Sequence, residues 1–303
     1  MSHALPAAIP ALTTNAGAPV RLLFAGPEQP IAVNAPAEAV AALEDLIPLW
    51  PPLDGNGVAS HEIAVWQDED GWHVARNIQH PARAVFEDAH AAANEVINCL
   101  IGCYLAQRRD LLCLHAAAVE IADGLLVLLG TNHAGKSTLA AALAALGHRF
   151  VCDDELIVDL SGSQPIGIAL GAAPKLRLPL PPTTPAWFRT FYEAHLDTEW
   201  SLAAALYLDR HAAARNGERR PIAALVDLRR DDTAGAASLD AVRRGDTVRL
   251  LLDQVMAPKL HLEALLSAAA AQVRERVCYR LSYADSFAAA ELLSRRFPPP
   301  RTA

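Results

Sequence analysis

The sequence predicts an α/β protein in which helices pack against a mixed sheet, with a smaller α+β section ahead of it. The main observation is an apolar strand pattern, LLVLL (125–129), followed by a glycine-containing loop, an Ala/Leu-rich helix and a second strand, HRFVC (148–152). The second observation is the alternation of apolar and polar residues on either side of Asp70-Gly71, which is typical of a hairpin. The third is composition: 52% of the 303 residues are hydrophobic and 20% charged, which suits one or two folded domains.

Residues 1–108 are predicted to form the smaller section. Its strands are VRLLF (20–24), IAVNA (31–35) and the hairpin over 61–77. A helix is expected after residue 36, with its end at Pro51-Pro52. A second amphipathic helix, from Phe86 to about Gln107, is predicted to join the two sections.

Residues 109–297 are predicted to form the larger domain, and 298–303 a disordered tail. DLLCLHAAAVEI (110–121) has the pattern of one strand, and the strands around the loop are expected to be mainly parallel. The Gly- and Pro-rich stretch after Asp159 is interpreted as a functional loop. The remaining predictions are strands at 221–230 and 277–283 and helices at 259–272 and 286–297.

Charge and cysteine content exclude several classes of function. A formal net charge of -8 argues against nucleic acid or an anionic membrane as a partner. The five cysteines form no Cys-x-x-Cys pair and are interpreted as buried thiols in a reducing compartment. The N-terminus lacks the basic region of a signal peptide, and no apolar run is long enough to span a membrane, so we expect a soluble cytoplasmic protein. A homo-oligomer is left open.

The strongest sequence signal is the Gly-x4-Gly-Lys-Ser spacing that follows LLVLL. Such a loop wraps an anion in backbone N–H groups at the positive end of a helix, and its lysine reaches the terminal phosphates. Its serine hydroxyl is a magnesium ligand. We therefore expect a nucleoside triphosphate, ATP or another one, and Mg²⁺ as cofactors. The residues expected to contact the nucleotide are Gly130, Thr131, Asn132, His133, Ala134, Gly135, Lys136, Ser137 and Thr138.

Three acidic residues and one histidine complete the candidate site. Asp153, Asp154 and Glu155 follow HRFVC, at the end of a strand expected to share an edge with the phosphate loop. A kinase needs a carboxylate there to orient or accept the proton of an attacking hydroxyl. A solvated turn or a helix cap is the alternative. His115 lies in the strand before LLVLL, where a core histidine is the alternative to a functional one.

Residues 114–160 resemble the HPr kinase/phosphorylase family. The resemblance consists of a histidine before the loop, the loop itself, a helix ending in Gly147-His148-Arg149 and a double aspartate after the next strand. It implies a fold akin to phosphoenolpyruvate carboxykinase and in-line transfer of a phosphoryl group to a serine hydroxyl.

The same resemblance implies individual roles. Asp153 corresponds to a catalytic base, and Lys136 to the phosphate clamp. Ser137 and Asp154 take the place of magnesium ligands, while His115 takes the place of the family's histidine.

The chain also departs from that family. The Glu-x-Arg-Gly signature of the true HPr kinases is absent, and Ala173-Pro174-Lys175-Leu176-Arg177-Leu178 stands in its place. This is similar to divergent HPr-kinase-related proteins, some of which phosphorylate a serine of a ribosomally made peptide such as a lasso precursor. Lys175 and Arg177 alternate, so in an extended segment both point to one side and can meet phosphate or a peptide carboxylate; a solvated strand is the alternative.

The leading hypothesis is a magnesium-dependent kinase that phosphorylates a serine-type hydroxyl on a peptide or small protein. A kinase acting on a small molecule such as free serine is a second hypothesis. A nucleotide-dependent switch or binding module without an acceptor is the third.

Overall fold

The computed structural model describes residues 19–55, 57–76, 84–233, 235–256 and 277–300, together with 263, 267 and 270. The chain forms two compact units: residues 1–44 and 51–107 make up the first, and residues 45–50 and 108–303 the second. The contiguous division predicted at residue 108 therefore omits the short segment Asp45–Trp50, which packs with the second unit. Among the described residues, no helix has the length and apolar character needed to cross a membrane.

The first unit contains one five-stranded sheet in the order β1-β2-β3-β4-β5. β2 and β3 run parallel, and the other neighbours are antiparallel. Its elements are β1 (Val20–Phe24), β2 (Ile31–Ala35), α1 (Ala37–Leu46), β3 (His61–Asp68), β4 (Gly71–Arg76), β5 (Val85–Phe86) and α2 (Ala89–Gln107).

Two helix ends in this region differ from the prediction. α1 ends at Leu46 and not at Pro51-Pro52, because Pro48 already disfavours helical backbone at the residue before it. α2 starts at Ala89, since Val85 and Phe86 pair with β4 as a short strand. The hairpin at Asp70-Gly71 is confirmed, with Asp68 opposite Gly71.

The second unit is a mixed α/β fold. Its strands are β6 (Leu111–His115), β7 (Ala117–Ile121), β8 (Gly124–Leu129), β9 (Phe150–Cys152), β10 (Glu155–Asp159), β11 (Ile166–Ile168), β12 (Lys175–Arg177), β13 (Leu196–Trp200), β14 (Ala203–Leu206), β15 (Arg219–Arg230), β16 (Ser238–Ala241), β17 (Val255–Met256) and β18 (Val277–Tyr283). Its further helices are α3 (Lys136–Ala145), α4 (Ala186–His195), α5 (Arg244–Asp253) and α6 (Ser286–Arg296). The helix predicted at 259–272 lies largely outside the described residues.

The long strand β15 belongs to two ladders. Its first residues pair with β11 and continue through β10, β6 and β17. Its later residues lie between β8 and β18, and the ladder continues from β8 through β7 to β9. β12, β14 and β13 form a separate three-stranded sheet. Parallel pairing in this unit occurs at β8-β15-β18, and the β7-β8 and β7-β9 ladders are antiparallel, so the prediction of a mainly parallel layer was wrong.

Two hydrophobic clusters of the described residues lie on opposite faces of β8. One lies under α3, α4 and α6 and includes Leu126 and Leu128 from β8. The other lies on the opposite face of β8 and includes Leu125, Val127 and Leu129. β8 is thus buried on both faces, which explains its uninterrupted apolar sequence.

The segment 110–121, predicted as one strand, is two strands in different ladders. β6 pairs with β10, and β7 pairs with β8 and β9. The change of ladder falls at Ala116, whose N–H donates to the carbonyl oxygen of Asp154 at 2.9 Å. This break leaves His115 at the end of β6, beside the residues that follow β9.

All five cysteines are free thiols, and four of them are buried. Burial raises the pKa of Cys99 to about 12 and that of Cys103 to about 11. Cys99 is half-buried, and both thiols stay protonated and unreactive at neutral pH, because only a thiolate is a strong nucleophile or metal ligand.

Candidate functional site

Four strands of the second unit end at one edge of the sheet. β15 runs parallel to β8 and to β18, and β7 runs antiparallel to both β8 and β9. β8, β9, β15 and β18 therefore share one direction, and the segments that follow them meet. These segments are the glycine loop after β8, the acidic run after β9, the arginines at the end of β15, and Tyr283 at the end of β18.

The glycine loop closes directly onto the first turn of α3. Gly135 has φ +89, a left-handed conformation that glycine adopts without strain, and α3 begins at the next residue. A Cβ atom on Gly135 would lie 2.9 Å from the Tyr283 hydroxyl, so the position also requires glycine for space. The loop therefore lies at the N-terminus of α3, which is the positive end of the helix and the end that favours an anion.

Lys136 is largely buried, with 7% of its surface exposed. Its Nζ donates to the carbonyl oxygens of Gly130 at 3.0 Å and Thr131 at 3.4 Å. Burial lowers the pKa of Lys136, and the charges of Asp154 and Asp153 act in the opposite direction. The amine is thus held over the loop and within electrostatic range of the acidic run.

The other loop residues differ in exposure. Thr131, Asn132 and His133 are exposed, Ala134 is buried, and Ser137 and Thr138 are half-buried in the first turn of α3. His133 has a φ of +65, in the left-handed region of the backbone.

Asp153 is the most enclosed of the three acids, with 2% of its surface exposed. Its Oδ2 accepts a hydrogen bond from the backbone N–H of Lys175 at 2.8 Å. Burial raises the pKa of Asp153 to about 6, and the Asp154 charge contributes, while Lys175 opposes the shift. A carboxyl with such a pKa is ionised at neutral pH and accepts a proton more readily than an exposed aspartate.

Asp154 and His115 form a pair at the open side of the site. The His115 Nδ1 lies 3.1 Å from the Asp154 Oδ1, and the two side chains are 40% and 38% exposed. Sequence order puts His115 only in the strand before LLVLL. In the structure that strand, β6, pairs with β10, and its last residue reaches Asp154.

Glu155 and Lys175 complete the charged cluster. Glu155 is the first residue of β10, and burial raises its pKa to about 7, with the neighbouring aspartates acting in the same direction. For Lys175, burial acts to lower the pKa, but the charges of Asp153, Glu155 and Asp154 outweigh it and raise the pKa overall. Lys175 is therefore a charge partner of the acids.

Arg177 lies at the other end of β12 and is exposed. Its guanidinium contacts the His133 ring at the tip of the phosphate loop. Leu176 between them is buried in the core under α3. The predicted alternation is thus observed, and it brings Lys175 to the acids and Arg177 to the loop.

Sequence reasoning missed residues that hold the loop in place. The Tyr283 hydroxyl donates to the Ala134 carbonyl oxygen. The Gln254 side-chain amide nitrogen donates to the carbonyl oxygens of Gly130 and His115, each at 3.1 Å. This is the amide orientation in which both its nitrogen and its oxygen face suitable partners. Neither residue carries a local signal, because each reaches the loop from a distant part of the chain.

Sequence reasoning also missed Arg229 and Arg230, although a signal existed. They end β15 directly after the run IAALVDL (222–228), and the carboxyl ends of strands parallel to β8 lie beside the loop that follows β8.

No group of three or more His, Cys, Asp or Glu side chains that could hold a metal by itself occurs among the described residues. Mg²⁺ does not require one, since it is usually bound through one or two protein oxygens, phosphate oxygens and water. The carboxylate of Asp154 and the hydroxyl of Ser137 are donors of the kind that Mg²⁺ prefers. The residues present therefore fit this cation bound together with a triphosphate.

Neither a protein-family model nor a curated protein sequence matches the chain. Among solved structures, it is similar to the Hpr(Ser) kinase/phosphatase from Coxiella burnetii, with 13% sequence identity and a TM-score of 0.31. The alignment covers 61% of this chain and 94% of the other. At that TM-score the likeness decides nothing about the fold or activity of this chain, and the functional assignment rests on the site.

Proposed function

We propose that this chain is a magnesium-dependent kinase that transfers the γ-phosphate of a nucleoside triphosphate, ATP in the first instance, to a serine-type hydroxyl of a peptide or small protein. The observation that carries the proposal is Asp153. It is a buried carboxyl with a pKa of about 6, within electrostatic range of Lys136 on a phosphate-binding loop. This arrangement provides a phosphate clamp and a proton acceptor at one edge of one sheet.

The transfer step is an in-line displacement. The acceptor oxygen forms a bond to the γ-phosphorus while the bond between that phosphorus and the β–γ bridging oxygen breaks, and the nucleoside diphosphate leaves. Asp153 takes the hydroxyl proton as the new bond forms. Its pKa suits the role because it is ionised before the step and can hold a proton after it.

The phosphate charge needs compensation during transfer. The backbone N–H groups of the loop and the Lys136 ammonium supply part of it. Mg²⁺, when bound with the triphosphate, would supply the remainder, with Ser137 and Asp154 as its protein donors. His115 would orient the Asp154 carboxylate through the contact described above.

A peptide acceptor is supported by Arg177. It is an exposed cation on β12, and its neighbour Lys175 is already engaged with the acids. A guanidinium at the loop suits a backbone carbonyl or carboxylate of an incoming chain. The resemblance to HPr-kinase-related proteins points to the same acceptor class.

The test is a transfer assay with γ-labelled ATP and Mg²⁺. The acceptors are a panel of serine-containing peptides, the same peptides with alanine for serine, free serine, and a reaction without acceptor. We expect label on the serine peptides alone, and the Asp153→Asn variant to lose it. Label on free serine but on no peptide would favour a small-molecule kinase. Release of inorganic phosphate with no labelled acceptor would sink the kinase proposal and favour a nucleotide-driven switch.

A further inference from the structure

A second cleft adjoins the phosphate loop on the side away from the acids. Its volume is about 420 Å³, within the range of roughly 300–1,000 Å³ typical of small-molecule sites. It is lined by Thr131, His133, Ala134, Leu228, Arg229, Arg230 and Asp232. One wall is thus the loop itself, and the other is the end of β15.

The two arginines of the cleft are held differently. Arg229 Nε donates to the buried Asp227 at 3.0 Å, and Arg280 contacts the same oxygen at 3.1 Å. Arg230 pairs instead with Asp232 at 3.3 Å, where the two side chains are 45% and 84% exposed. An exposed pair of this kind contributes little free energy, so a ligand can displace it at small cost.

The position of the cleft follows from the strand order. In β9-β7-β8-β15, the acids follow β9 and the arginines end β15, on opposite sides of the loop strand. In-line transfer places the attacking hydroxyl and the leaving diphosphate on opposite sides of the γ-phosphorus. With the proton acceptor Asp153 on the β9 side, the remainder of the nucleotide extends toward β15.

We propose that this cleft binds the nucleoside part of the triphosphate, with the planar guanidinium of Arg230 stacked on the base. Arg230 is suited to this because a guanidinium stacks on aromatic faces. Asp232, released from Arg230, accepts a hydrogen bond from a ribose hydroxyl. The proposal rests on the proposed function for the direction in which the nucleotide lies.

The test compares two ligands by calorimetric titration in the presence of Mg²⁺ and without any acceptor. ATP carries a nucleoside, whereas inorganic tripolyphosphate carries only the phosphate chain. The variants are Arg230→Ala and Arg230→Lys, which keeps the charge without the plane. The control is Arg295→Ala, because Arg295 is an exposed arginine in an i,i+4 pair with Glu291 on α6 and does not line the cleft.

We expect both Arg230 variants to weaken ATP binding by about tenfold, the scale of one stacked base, and to leave tripolyphosphate binding within about twofold of wild type. Arg295→Ala should change neither. Unchanged ATP affinity in Arg230→Ala would overturn the proposal. So would an equal loss for ATP and tripolyphosphate, since Arg230 would then act on the phosphates or on the shape of the loop.

Failure of the kinase proposal is separable from failure of this one. If ATP binding depends on Arg230 but no acceptor is labelled, the kinase proposal fails and the cleft proposal stands. If the Arg230→Ala variant labels peptides as well as wild type and binds ATP with unchanged affinity, the cleft proposal fails and the kinase proposal stands.

Discussion

Burial of the Asp153 carboxyl group is the main cause of its raised pKa. The end of β9 carries it into the interior, and the hydrogen bond from the backbone N–H of Lys175 does not replace the lost hydration. Asp154, the next residue, remains at the surface opposite His115. Two adjacent aspartates thus have different environments, one suited to a proton and the other to a cation.

The pH dependence of transfer should follow Asp153. Because the base must be ionised, kcat/KM for a serine peptide should rise with pH through about 6 and level off above 7. Asp153→Asn should lower kcat by about 10²- to 10⁴-fold, the usual contribution of a general base, and abolish that rise. The measurement is a pH–rate profile of both proteins, with Asp240→Asn on β16 as a control. A variant that kept the wild-type rate would refute the assignment of the base.

The same substitution should change stability in the opposite direction. The folded-state pKa of Asp153 is raised from 3.8 to about 6, so the stability associated with its protonated form is present below 3.8 and lost as pH rises to 6. Asparagine mimics the protonated form at every pH. Asp153→Asn should therefore match wild type near pH 4 and exceed it above pH 7 by up to about 3 kcal/mol.

Urea unfolding at a series of pH values measures this difference. A stability difference that did not grow between pH 4 and pH 7 would mean that Asp153 is better solvated than its burial indicates.

At the scale of elements, the phosphate loop depends on a contact from β18. Gly135→Ala should weaken nucleotide binding at least tenfold and destabilise the protein by about 1–3 kcal/mol, because it combines strained backbone with a collision at Tyr283. Tyr283→Phe keeps the buried ring and removes only the hydrogen bond to Ala134. It should cost about 1 kcal/mol of stability and a smaller loss of binding.

Calorimetric titration with ATP and urea unfolding measure both effects. Gly147→Ala is the matched control, since Gly147 has φ +92 but an added Cβ would have open space there. If Gly147→Ala weakened ATP binding as much as Gly135→Ala, the loop-specific explanation would fail.

The elements around the loop were predictable because their signals are local. β8, α3 and β9 were each predicted from apolar pattern and the glycine spacing. The division of 110–121 into two strands was not, because Leu112 and Val119 are equally apolar and only the partner strands differ. Similarly, the arrival of Tyr283 at the loop depends on the parallel pairing of β18 with β15, which no sequence period encodes.

At the scale of the whole molecule, nucleotide binding should stabilise the fold. A ligand that binds only the native state adds about 2.7 kcal/mol at one hundred times its Kd. We expect the melting temperature to rise with ATP and Mg²⁺ together, and Lys136→Ala to reduce that rise. Thermal unfolding with and without the ligand measures this rise. An equal rise in Lys136→Ala would show that Lys136 does not contribute to ligand binding.

The second unit also depends on a segment that lies far away in the chain. Asp45–Trp50 belongs to the second unit, where its backbone forms hydrogen bonds with residues that follow the glycine loop in the chain. The Leu49 N–H donates to the Gly171 carbonyl oxygen at 3.1 Å, and the Ala173 N–H donates to the Leu46 carbonyl oxygen at 2.9 Å. Gly171 approaches so closely that a Cβ would lie 2.4 Å from the Leu49 carbonyl group.

A shortened protein that starts at Arg108 would therefore lack part of the second unit. It would leave the Ala173 amide and the Gly171 carbonyl without their partners, two residues before the strand that carries Lys175 and Arg177. Expression of the second unit alone therefore requires residues 45–50 as well, supplied as a separate peptide or joined to the unit by circular permutation.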